Sequence, residues 1–397
     1  MDRKIKILFI HHAAGWGGAP ISMIELIKSL DKNKFQVQVL LLKNSIVAEK
    51  LFENGIDFYL PTTFFYRKVY QYFCHLETSF LKWYHIFRFF KKSILWLLSR
   101  YFYAKKELRK FDYDIVHLNS SVLTDWLAPA AKNGKVIIHV RETFKKGKFD
   151  FLYYFFRHQI NKYANKIIAI SYDNAKRINI PEKTIVVYNF AKTPEQKPSE
   201  NSYFSKKFLY LGGSAEIKGF YTLVSALDYL DEDIKILFAG NYVLHYSKNK
   251  LKIFLKKILG IDQQKKLALQ KIKSHKNAIE IGLTYNINFY LQECCCLISP
   301  FTVPHFSRPV IEAFLHKKPV IVSDVEGMDE IVTHNENGII FKTDDAKSLA
   351  NAINFIARNP IKAKQMGEKG FEIATLKFTD TNVNKISLIY EELLKIN

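Results

Sequence analysis

The chain has 397 residues, of which 48% are apolar, with only 16 glycines and 11 prolines. This length favours two domains of nearly equal size, each with its own core, and the composition excludes a disordered chain. The formal charge of +21 at pH 7 calls for an anionic partner, which composition leaves open between nucleic acid, a membrane surface and a phosphate-bearing substrate.

The amino-terminal segment MDRKIKILFIHH is predicted to form a first strand, because it lacks the apolar core and the cleavage site of a signal peptide. The longest unbroken apolar runs, such as ILWLL at 94–98, fall far short of the roughly 18 residues that span a bilayer. Cys74 and the run Cys294 to Cys296 have no zinc spacing, and we interpret them as buried thiols in a reducing cytoplasm. We therefore expect a cytoplasmic protein that is soluble or peripheral to a membrane.

Residues 1–190 alternate between short apolar strands and helices. A strand at 5–10 is followed by the glycine loop HHAAGWGG (11–18), and apolar residues with a helical period predict a helix from Pro20 to Leu30. Continuous apolar strands separated by helices indicate a parallel sheet that is covered on both faces. The further strands are predicted at 37–42, 114–118, 135–140, 166–171 and 184–189.

A basic and aromatic helical insert is predicted at about 64–110. Sixteen aromatic residues occur between positions 64 and 103, and 64–110 carries eleven Lys or Arg against Glu77 and Glu107. A helix with a broad apolar face and cations beside it suits an anionic membrane surface. Packing of this face against its own domain and RNA binding are the alternatives, although no nucleic-acid module is recognisable. A basic helix predicted at 250–273 adds to the positive charge.

The same alternation of strands and helices begins again after a polar, proline-bearing segment at 191–207, which we predict as a linker. The second domain is predicted at 208–375, with a final helix at 376–397 that packs back on the first domain. The fold class is thus α/β, with two doubly wound, Rossmann-like domains facing each other across a cleft at the carboxyl ends of their strands. The predicted elements of the second half are strands at 207–213, 234–240, 295–300 and 318–324 and a helix at 219–230.

Two glycine loops precede helices at corresponding places in the two halves. GWGGAP (15–20) lets the backbone approach an anion at a helix amino end, with a plain tight turn as the alternative. GGSAEIKG (212–219) adds Lys218, whose charge suits a departing phosphate, with a solvated lysine as the alternative.

Two Asp-x-Asp sequences, DYD (112–114) and DED (231–233), have a pattern that can hold a divalent cation on a nucleotide diphosphate. Both precede a strand, at the edge opposite the predicted ligand site, so we interpret them as solvated turn carboxylates. We expect a site without a protein-bound metal.

The segment PHFSRPVIEAFLHKKPVIVSDVEGMDEIV (304–332) predicts a helix with Glu312, a buried strand and a second short helix with Glu330. The run IEAFLHKKPVIVSDVEGMDEIVTHNENGIIF (311–341) resembles the signature of family-4 retaining glycosyltransferases, which have the two-domain GT-B fold. The motifs GGAP, DIVHLNSS, IAIS, VVYN, KG and a final IYEELL extend this resemblance over nearly the whole chain.

The resemblance implies a donor site for a UDP-sugar or GDP-sugar, with no cofactor. It places Glu312 on the nucleotide ribose hydroxyls and Lys218 on the donor diphosphate. Gly17 and Gly18 fall on the glycine loop near the same phosphates, and Gly213 lies in the second loop.

Two positions depart from the family pattern. The first motif glutamate is replaced by Pro304, and an arginine that is common five residues before the lysine is replaced by Gly213. His305 and Arg308 stand close by, and we expect them to contact the donor sugar or phosphate and, with Lys218, to act in catalysis. Glu330 is expected to brace its own helix.

Polar residues at predicted strand ends of the first domain are candidates for acceptor or sugar contacts: His117, Asn119, His139 and Glu142. For each of them, a satisfied structural role is the alternative.

These features predict a glycosyltransferase that moves a sugar from a nucleotide donor to a lipid-linked or oligosaccharide acceptor in surface polysaccharide or glycolipid synthesis. We expect it at the inner face of the cell membrane, bound to the anionic surface and not to nucleic acid. A non-catalytic membrane scaffold of the same fold and a sugar-nucleotide epimerase are the alternatives.

Overall fold

The computed structural model describes residues 3–12, 14–73, 86–144, 150–194, 199–242 and 263–395. The chain divides into two compact units. The first comprises Met1–Phe190 together with Asp380–Asn397, and the second comprises Ala191–Thr379. No helix in the described ranges combines the length and the apolar composition needed to cross a bilayer.

The first unit contains a seven-stranded, fully parallel sheet in the order β3-β2-β1-β4-β5-β6-β7. Its strands are β1 (Ile5–His11), β2 (Phe35–Leu41), β3 (Phe58–Tyr59), β4 (Ile115–Leu118), β5 (Lys135–Val140), β6 (Lys166–Ala169) and β7 (Thr184–Val186). Its helices are α1 (Gly18–Ser29), α2 (Ile46–Glu53), α3 (Ile86–Leu98), α4 (Ala104–Leu108), α5 (Thr124–Ala130), α6 (Phe151–Tyr163) and α7 (Tyr172–Ile178), together with the last helix of the chain, Thr381–Lys395.

Both faces of the central strands of this sheet are buried because most of their residues are apolar. In β1, Ile7 and Phe9 point to a core that includes α1 and the last helix, whereas Leu8 and Ile10 point to a core that includes α3, α5 and α6. This alternation follows from the two-residue period of a strand. The last helix, which we predicted to begin at 376, belongs to the first unit from Asp380 onward.

The second unit contains a six-stranded parallel sheet in the order β10-β9-β8-β11-β12-β13. Its strands are β8 (Lys207–Tyr210), β9 (Lys235–Ala239), β10 (Ala278–Gly282), β11 (Cys296–Ser299), β12 (Val320–Ser323) and β13 (Gly338–Phe341). Its helices are α8 (Phe220–Ala226), α9 (Gln263–Ser274), α10 (Ile287–Glu293), α11 (Arg308–Leu315), α12 (Ala346–Arg358) and α13 (Pro360–Lys377).

The strand order reverses once in each sheet. In the first unit the reversal lies between β1 and β4, and in the second it lies between β8 and β11. At such a point the connections leave in opposite directions, and a crevice opens at the carboxyl ends of the two strands. The predicted fold class of two doubly wound α/β domains is confirmed, and each domain has one place that is suited to a ligand.

Some predicted elements differ from the structure. The short strands β3, β10 and β13 were missed. The second helix around Glu330 is wrong, since residues 326–331 form turns and Gly327 has a φ of +84° that interrupts a helix. In the segment predicted as a linker, Tyr203 is 4% exposed and packs in the core of the second unit. Of the basic helix predicted at 250–273, residues 250–262 lie outside the described residues, as does Cys74.

Asp125, at the start of α5, is a buried carboxyl group with an altered pKa. It is 1% exposed and accepts hydrogen bonds from the Ser99 hydroxyl and, at 3.3 Å, from the Tyr70 hydroxyl. Burial raises its pKa to about 6. Because this value lies above that of an unfolded chain, the contribution of Asp125 to stability is present at low pH and is lost as the pH rises through about 6.

Replacing Asp125 by Asn should remove this loss. Relative to the wild type, we expect Asp125→Asn to gain roughly 3 kcal/mol in the free energy of unfolding between pH 4 and pH 7. Urea unfolding followed by tryptophan fluorescence measures it, because all four tryptophans lie in the first unit. A difference between the two proteins that does not change with pH would contradict the raised pKa.

Candidate functional site

The loop after β8 packs against the loops that follow β9 and β11. Gly219 has a φ of +70°, and a Cβ atom on it would lie 1.8 Å from the Pro300 carbonyl oxygen, so only glycine fits. Gly213 has a φ of +57°, and a Cβ atom there would lie 3.0 Å from the Asn241 nitrogen. The backbone N–H of Thr302 donates to the Ile217 carbonyl at 3.1 Å. These close approaches fix the position of residues 211–219.

Lys218 lies in this loop, at the carboxyl end of β8. The Tyr210 hydroxyl, within hydrogen-bond distance of both the Lys218 and the Gly213 carbonyl oxygens at 3.1 Å, anchors the backbone around it. A small cavity of about 30 Å³ adjoins Lys218, Pro300 and Phe301. Burial lowers the pKa of the Lys218 ammonium. A partly desolvated cation interacts strongly with an anion that comes to it.

His305 lies beside Lys218 and is neutral. Its ring stacks on Phe301 with a centroid distance of 3.7 Å, and its backbone N–H donates to the Glu326 carbonyl at 3.1 Å. Burial, followed by the charge of Lys218, lowers its pKa to about 3. At neutral pH, His305 can therefore form hydrogen bonds but supplies no positive charge.

Arg308 and Glu312 form an ion pair on one face of α11. The Arg308 Nε donates to Glu312 Oε1 at 2.7 Å, and the two side chains are 5% and 18% exposed. The spacing of four residues brings them together. Arg308 thus holds the carboxylate of Glu312, and its predicted contact with the donor stays a prediction.

These residues converge because β8 and β11 are neighbours, with Tyr210 opposite Ile298. Lys218 follows β8, while His305, Arg308 and Glu312 follow β11, and all four lie at the carboxyl side of the reversal in strand order.

Gly213 is found where the family has an arginine, and its backbone explains the departure. Its left-handed φ and its closeness to Asn241 disfavour any side chain. Pro304, the other departure, leaves the sequence without the usual glutamate one residue before His305.

A recess of about 640 Å³ opens next to Gly213 in the second unit, beyond the carboxyl ends of β9 and β10. Sequence reasoning missed it because β10 is short and was not predicted. Two glycines mark it in the sequence: Gly240 follows β9 and Gly282 ends β10, with φ values of +134° and +78°. The residues that line the recess are Gly240, Asn241, Tyr242, Lys266, Leu269, Gln270, Lys273, Glu280, Gly282 and Leu283.

In the first unit, polar side chains meet at the carboxyl ends of β1, β4 and β5. The Asn119 amide nitrogen lies 3.1 Å from His11 Nδ1 and donates to the Ala19 carbonyl at 3.3 Å. Its oxygen accepts from the Arg141 Nε at 2.8 Å. The structure thus brings Asn119 to Arg141, a residue that the sequence analysis did not select.

Glu142 is held by residues that follow β4. Its carboxylate accepts from the Ser121 backbone N–H at 3.0 Å, from the Ser121 hydroxyl at 2.9 Å and from the Ser120 hydroxyl at 2.5 Å. Hydrogen bonds of this kind fix the orientation of the carboxylate.

His117 and His139 lie inside β4 and β5 and are 0% and 2% exposed. His117 Nε2 is 3.2 Å from His139 Nδ1, and His117 Nδ1 is 2.7 Å from the Tyr390 hydroxyl of the last helix. Arg141 reaches His139 Nδ1 at 3.3 Å and donates to the Asn189 oxygen at 2.8 Å. Burial lowers the pKa of both histidines, so both rings are neutral at pH 7. The predicted acceptor contacts Asn119, His139 and Glu142 therefore lie in one neighbourhood, with Asn119 and His139 buried and Glu142 less enclosed.

Gly17 and Gly18 are exposed at the amino end of α1, which begins at Gly18. A Cβ atom on Gly17 would meet no described atom within 4 Å, so the space in front of the helix is open.

The two Asp-x-Asp sequences lie at the amino ends of β4 and β9 and form ion pairs. Asp112 and Asp114 pair with Lys6 and Arg3, and Asp231 pairs with Arg358 at 2.7 Å. Within the part of the chain that the structure describes, no group of three or more His, Cys, Asp or Glu side chains is placed to hold a metal ion.

Comparison with known proteins matches the two units to two family models. Residues 16–193 match Glycosyltransferase Family 4, and residues 192–373 match Glycosyl transferases group 1. A glycosyltransferase of Methanocaldococcus jannaschii is 23% identical over 314 residues, covering 76% of this chain and 82% of the relative. The α-1,3/1,6-mannosyltransferase ALG2 of Dictyostelium discoideum is 31% identical over 144 residues, about a third of each chain.

Among solved structures, HepE of Anabaena in complex with UDP and glucose superposes with a TM-score of 0.72. The two chains are 17% identical, and the match covers 99% of this chain and 100% of HepE. This likeness supports the two-domain GT-B fold.

The steric role of Gly219 can be tested against Gly282, because both have positive φ values. A Cβ atom at Gly282 meets none of the described atoms within 4 Å, so Gly282→Ala should cost only about 1 kcal/mol of backbone strain. Gly219→Ala must also push the loop away from Pro300, and we expect a loss of at least about 3 kcal/mol. Differential scanning calorimetry measures both. Equal losses would show that the loop adapts and that its position is not fixed by Pro300.

Proposed function

Because the chain belongs to glycosyltransferase family 4, we propose that it transfers a sugar from a nucleotide-sugar donor to an acceptor hydroxyl with retention of anomeric configuration. One observation supports this above the others. Lys218 and the Arg308–Glu312 pair lie at the carboxyl ends of the adjacent strands β8 and β11, where the strand order reverses. A cation for phosphate and an oriented carboxylate for hydroxyl groups are the groups that a nucleotide diphosphate needs.

In the proposed reaction, the bond between the sugar C1 and the diphosphate oxygen breaks and its electron pair leaves with the diphosphate. The acceptor oxygen then bonds to C1, and its proton passes to the departing diphosphate. Lys218 stabilises the negative charge that develops on the leaving group. Glu312, held by Arg308, accepts hydrogen bonds from the ribose hydroxyls, and neutral His305 forms a hydrogen bond to the donor sugar.

The donor is proposed to be a UDP-sugar, with a GDP-sugar as the alternative. Solved complexes of HepE with UDP and with UDP-glucose support the choice of base by analogy. The recess of about 640 Å³ next to Gly213 has room for the base of the nucleotide. Since cationic side chains can offset the charge of the diphosphate, we propose that the protein needs no metal of its own.

The acceptor is proposed to be a lipid-linked glycan in surface polysaccharide or glycolipid synthesis, reached from the inner face of the cell membrane. Glu142 would contact it, because its oxygens lie at the carboxyl edge of the first sheet, and the buried Asn119 would act by orienting Arg141. His139 would act through Arg141. A non-catalytic scaffold is the second candidate function, supported by the replacements at Pro304 and Gly213.

Donor binding can be measured by thermal shift with UDP, GDP and their sugar conjugates. At a ligand concentration one hundred times the dissociation constant, about 2.7 kcal/mol of stabilisation is expected. Lys218→Met and Glu312→Gln should each weaken binding by about tenfold or more, because a charge-assisted contact is lost. Lys369→Met is the matched control, since Lys369 is exposed and pairs only at the surface with Glu372. Absence of stabilisation by any nucleotide would contradict the proposed donor site.

A measurement of turnover distinguishes the proposed enzyme from a non-catalytic scaffold. Release of UDP from UDP-glucose, measured with and without membrane lipid extract, should be detectable for the wild type. Glu142→Gln should lower kcat by about a hundredfold or more, because Gln keeps only part of the hydrogen bonds that orient the Glu142 carboxylate. It should leave the thermal shift with nucleotide unchanged, because Glu142 lies in the first unit. Nucleotide binding without any turnover would favour the scaffold.

A further inference from the structure

Helix α3 and the turn after it bury polar side chains and expose apolar ones. Its buried face includes Lys92, Ser99 and Arg100, which are 5%, 0% and 9% exposed. Its outer face is a row with the helical spacing of three and four residues. This outer row is Phe87, Phe90, Ile94, Leu97 and Tyr101, which are 83%, 56%, 57%, 46% and 62% exposed.

The buried cations are held by aromatic rings. Arg100 lies 5.1 Å from the Trp96 ring centroid and 4.9 Å from that of Tyr163, and Lys92 lies 5.7 Å from that of Tyr72. Such contacts are favourable when the cation is desolvated. The orientation of α3 is therefore fixed by specific contacts, and the outer row is exposed as a consequence.

A second helix extends the apolar surface. In α6, Phe151, Tyr154 and Phe155 are 60%, 52% and 40% exposed. Phe151 contacts Phe89 of α3 with ring centroids 5.8 Å apart, so the two helices lie side by side. The outer row of α3 alone extends about 20 Å, at a rise of 1.5 Å per residue. A contiguous apolar surface of this kind indicates an interaction site.

The charge beside this surface is positive. Between residues 86 and 110, Glu107 is the sole acidic residue of the sequence, and it is buried and paired with Lys110. The exposed basic residues are Arg88, Lys91, Lys105, Lys106, Arg109 and Lys110. A second copy of the chain would bring the same set of cations together, and repulsion between like charges is unfavourable. An anionic lipid surface complements both the aromatic rings and the cations.

We propose that the outer row of α3, with the exposed aromatic residues of α6, is the surface by which the protein docks on an anionic membrane. This inference rests on the proposed function, because it names the partner that would deliver a lipid-linked acceptor. Contacts on the inner side of α3 connect this surface to the candidate acceptor edge. Lys92 lies over the Tyr72 ring, and the Tyr72 ring is 4.8 Å from that of His12, which follows β1 at the candidate acceptor edge. The docked helix thus lies one layer of side chains from that edge.

Vesicle sedimentation tests the proposal. The full chain is mixed with phosphatidylcholine vesicles, with or without phosphatidylglycerol, at low and high salt. We expect binding to the anionic vesicles, with weaker binding at high salt because exposed charges are screened. The triple variant Phe87→Ser/Phe90→Ser/Ile94→Ser should lose more than about tenfold in partition coefficient, since three side chains no longer enter the interface. Lys91→Gln/Lys105→Gln should lose roughly fivefold or more per cation.

The matched control is Phe52→Ser/Leu376→Ser, which removes two apolar side chains that are 80% and 81% exposed elsewhere. It should bind vesicles like the wild type. Equal binding by the triple variant and the wild type, or no binding of the wild type to anionic vesicles, would overturn the proposal. The proposal would also be overturned if sedimentation velocity showed that the wild type is a dimer and the triple variant a monomer. The nucleotide thermal shift of the triple variant should stay unchanged, so failure of docking and failure of the donor site are separate results.

Discussion

The reversal of strand order in each sheet is the constraint on which both candidate sites depend. Parallel strands end at the same edge, and only at the reversal do two loops diverge and leave a crevice. The first unit places Asn119 and Glu142 there, and the second unit places Lys218 and the Arg308–Glu312 pair there. The glycine at 219 then brings the β8 loop into contact with Pro300, since a side chain would overlap its carbonyl oxygen. The topology thus selects the place, and local sterics set the geometry.

Burial determines which groups at these sites are charged. His305, His117 and His139 all have lowered pKa values because their rings are desolvated. Burial also lowers the pKa of Lys218, but from an ordinary lysine value about four units above that of histidine. The positive field on the donor side therefore comes from Lys218 and from Arg308, whose charge is shared with Glu312. The histidines contribute hydrogen bonds, and the lowered pKa of His305 favours its neutral imidazole near neutral pH.

Much of the fold was predictable from the sequence, because strands buried on both faces are continuous apolar runs. The strands β1, β4, β5 and β11 were found within two residues of their bounds. The short edge strands β3 and β13 were not, since their few residues carry no distinct pattern. The ion pair between Arg308 and Glu312 follows from a spacing of four residues, but Arg141 gave no signal of its own, because its partners Asn119 and Asn189 are distant in sequence. Long-range hydrogen bonds of this kind are set by tertiary structure alone.

The orientation of α3 shows why a pattern of apolar residues is not sufficient to assign the buried face. Both sides of this helix are apolar enough to form a core, and the sequence leaves the choice open. The choice is made by Trp96, whose indole N–H donates to the Thr124 hydroxyl at 3.0 Å, and by the Ser99 hydroxyl, which donates to Asp125. Burying these polar atoms is favourable only with their partners in place. The helix therefore turns its polar groups inward to specific acceptors and presents Phe87 and Phe90 to the outside, where an apolar medium with negative charge at its surface would stabilise them.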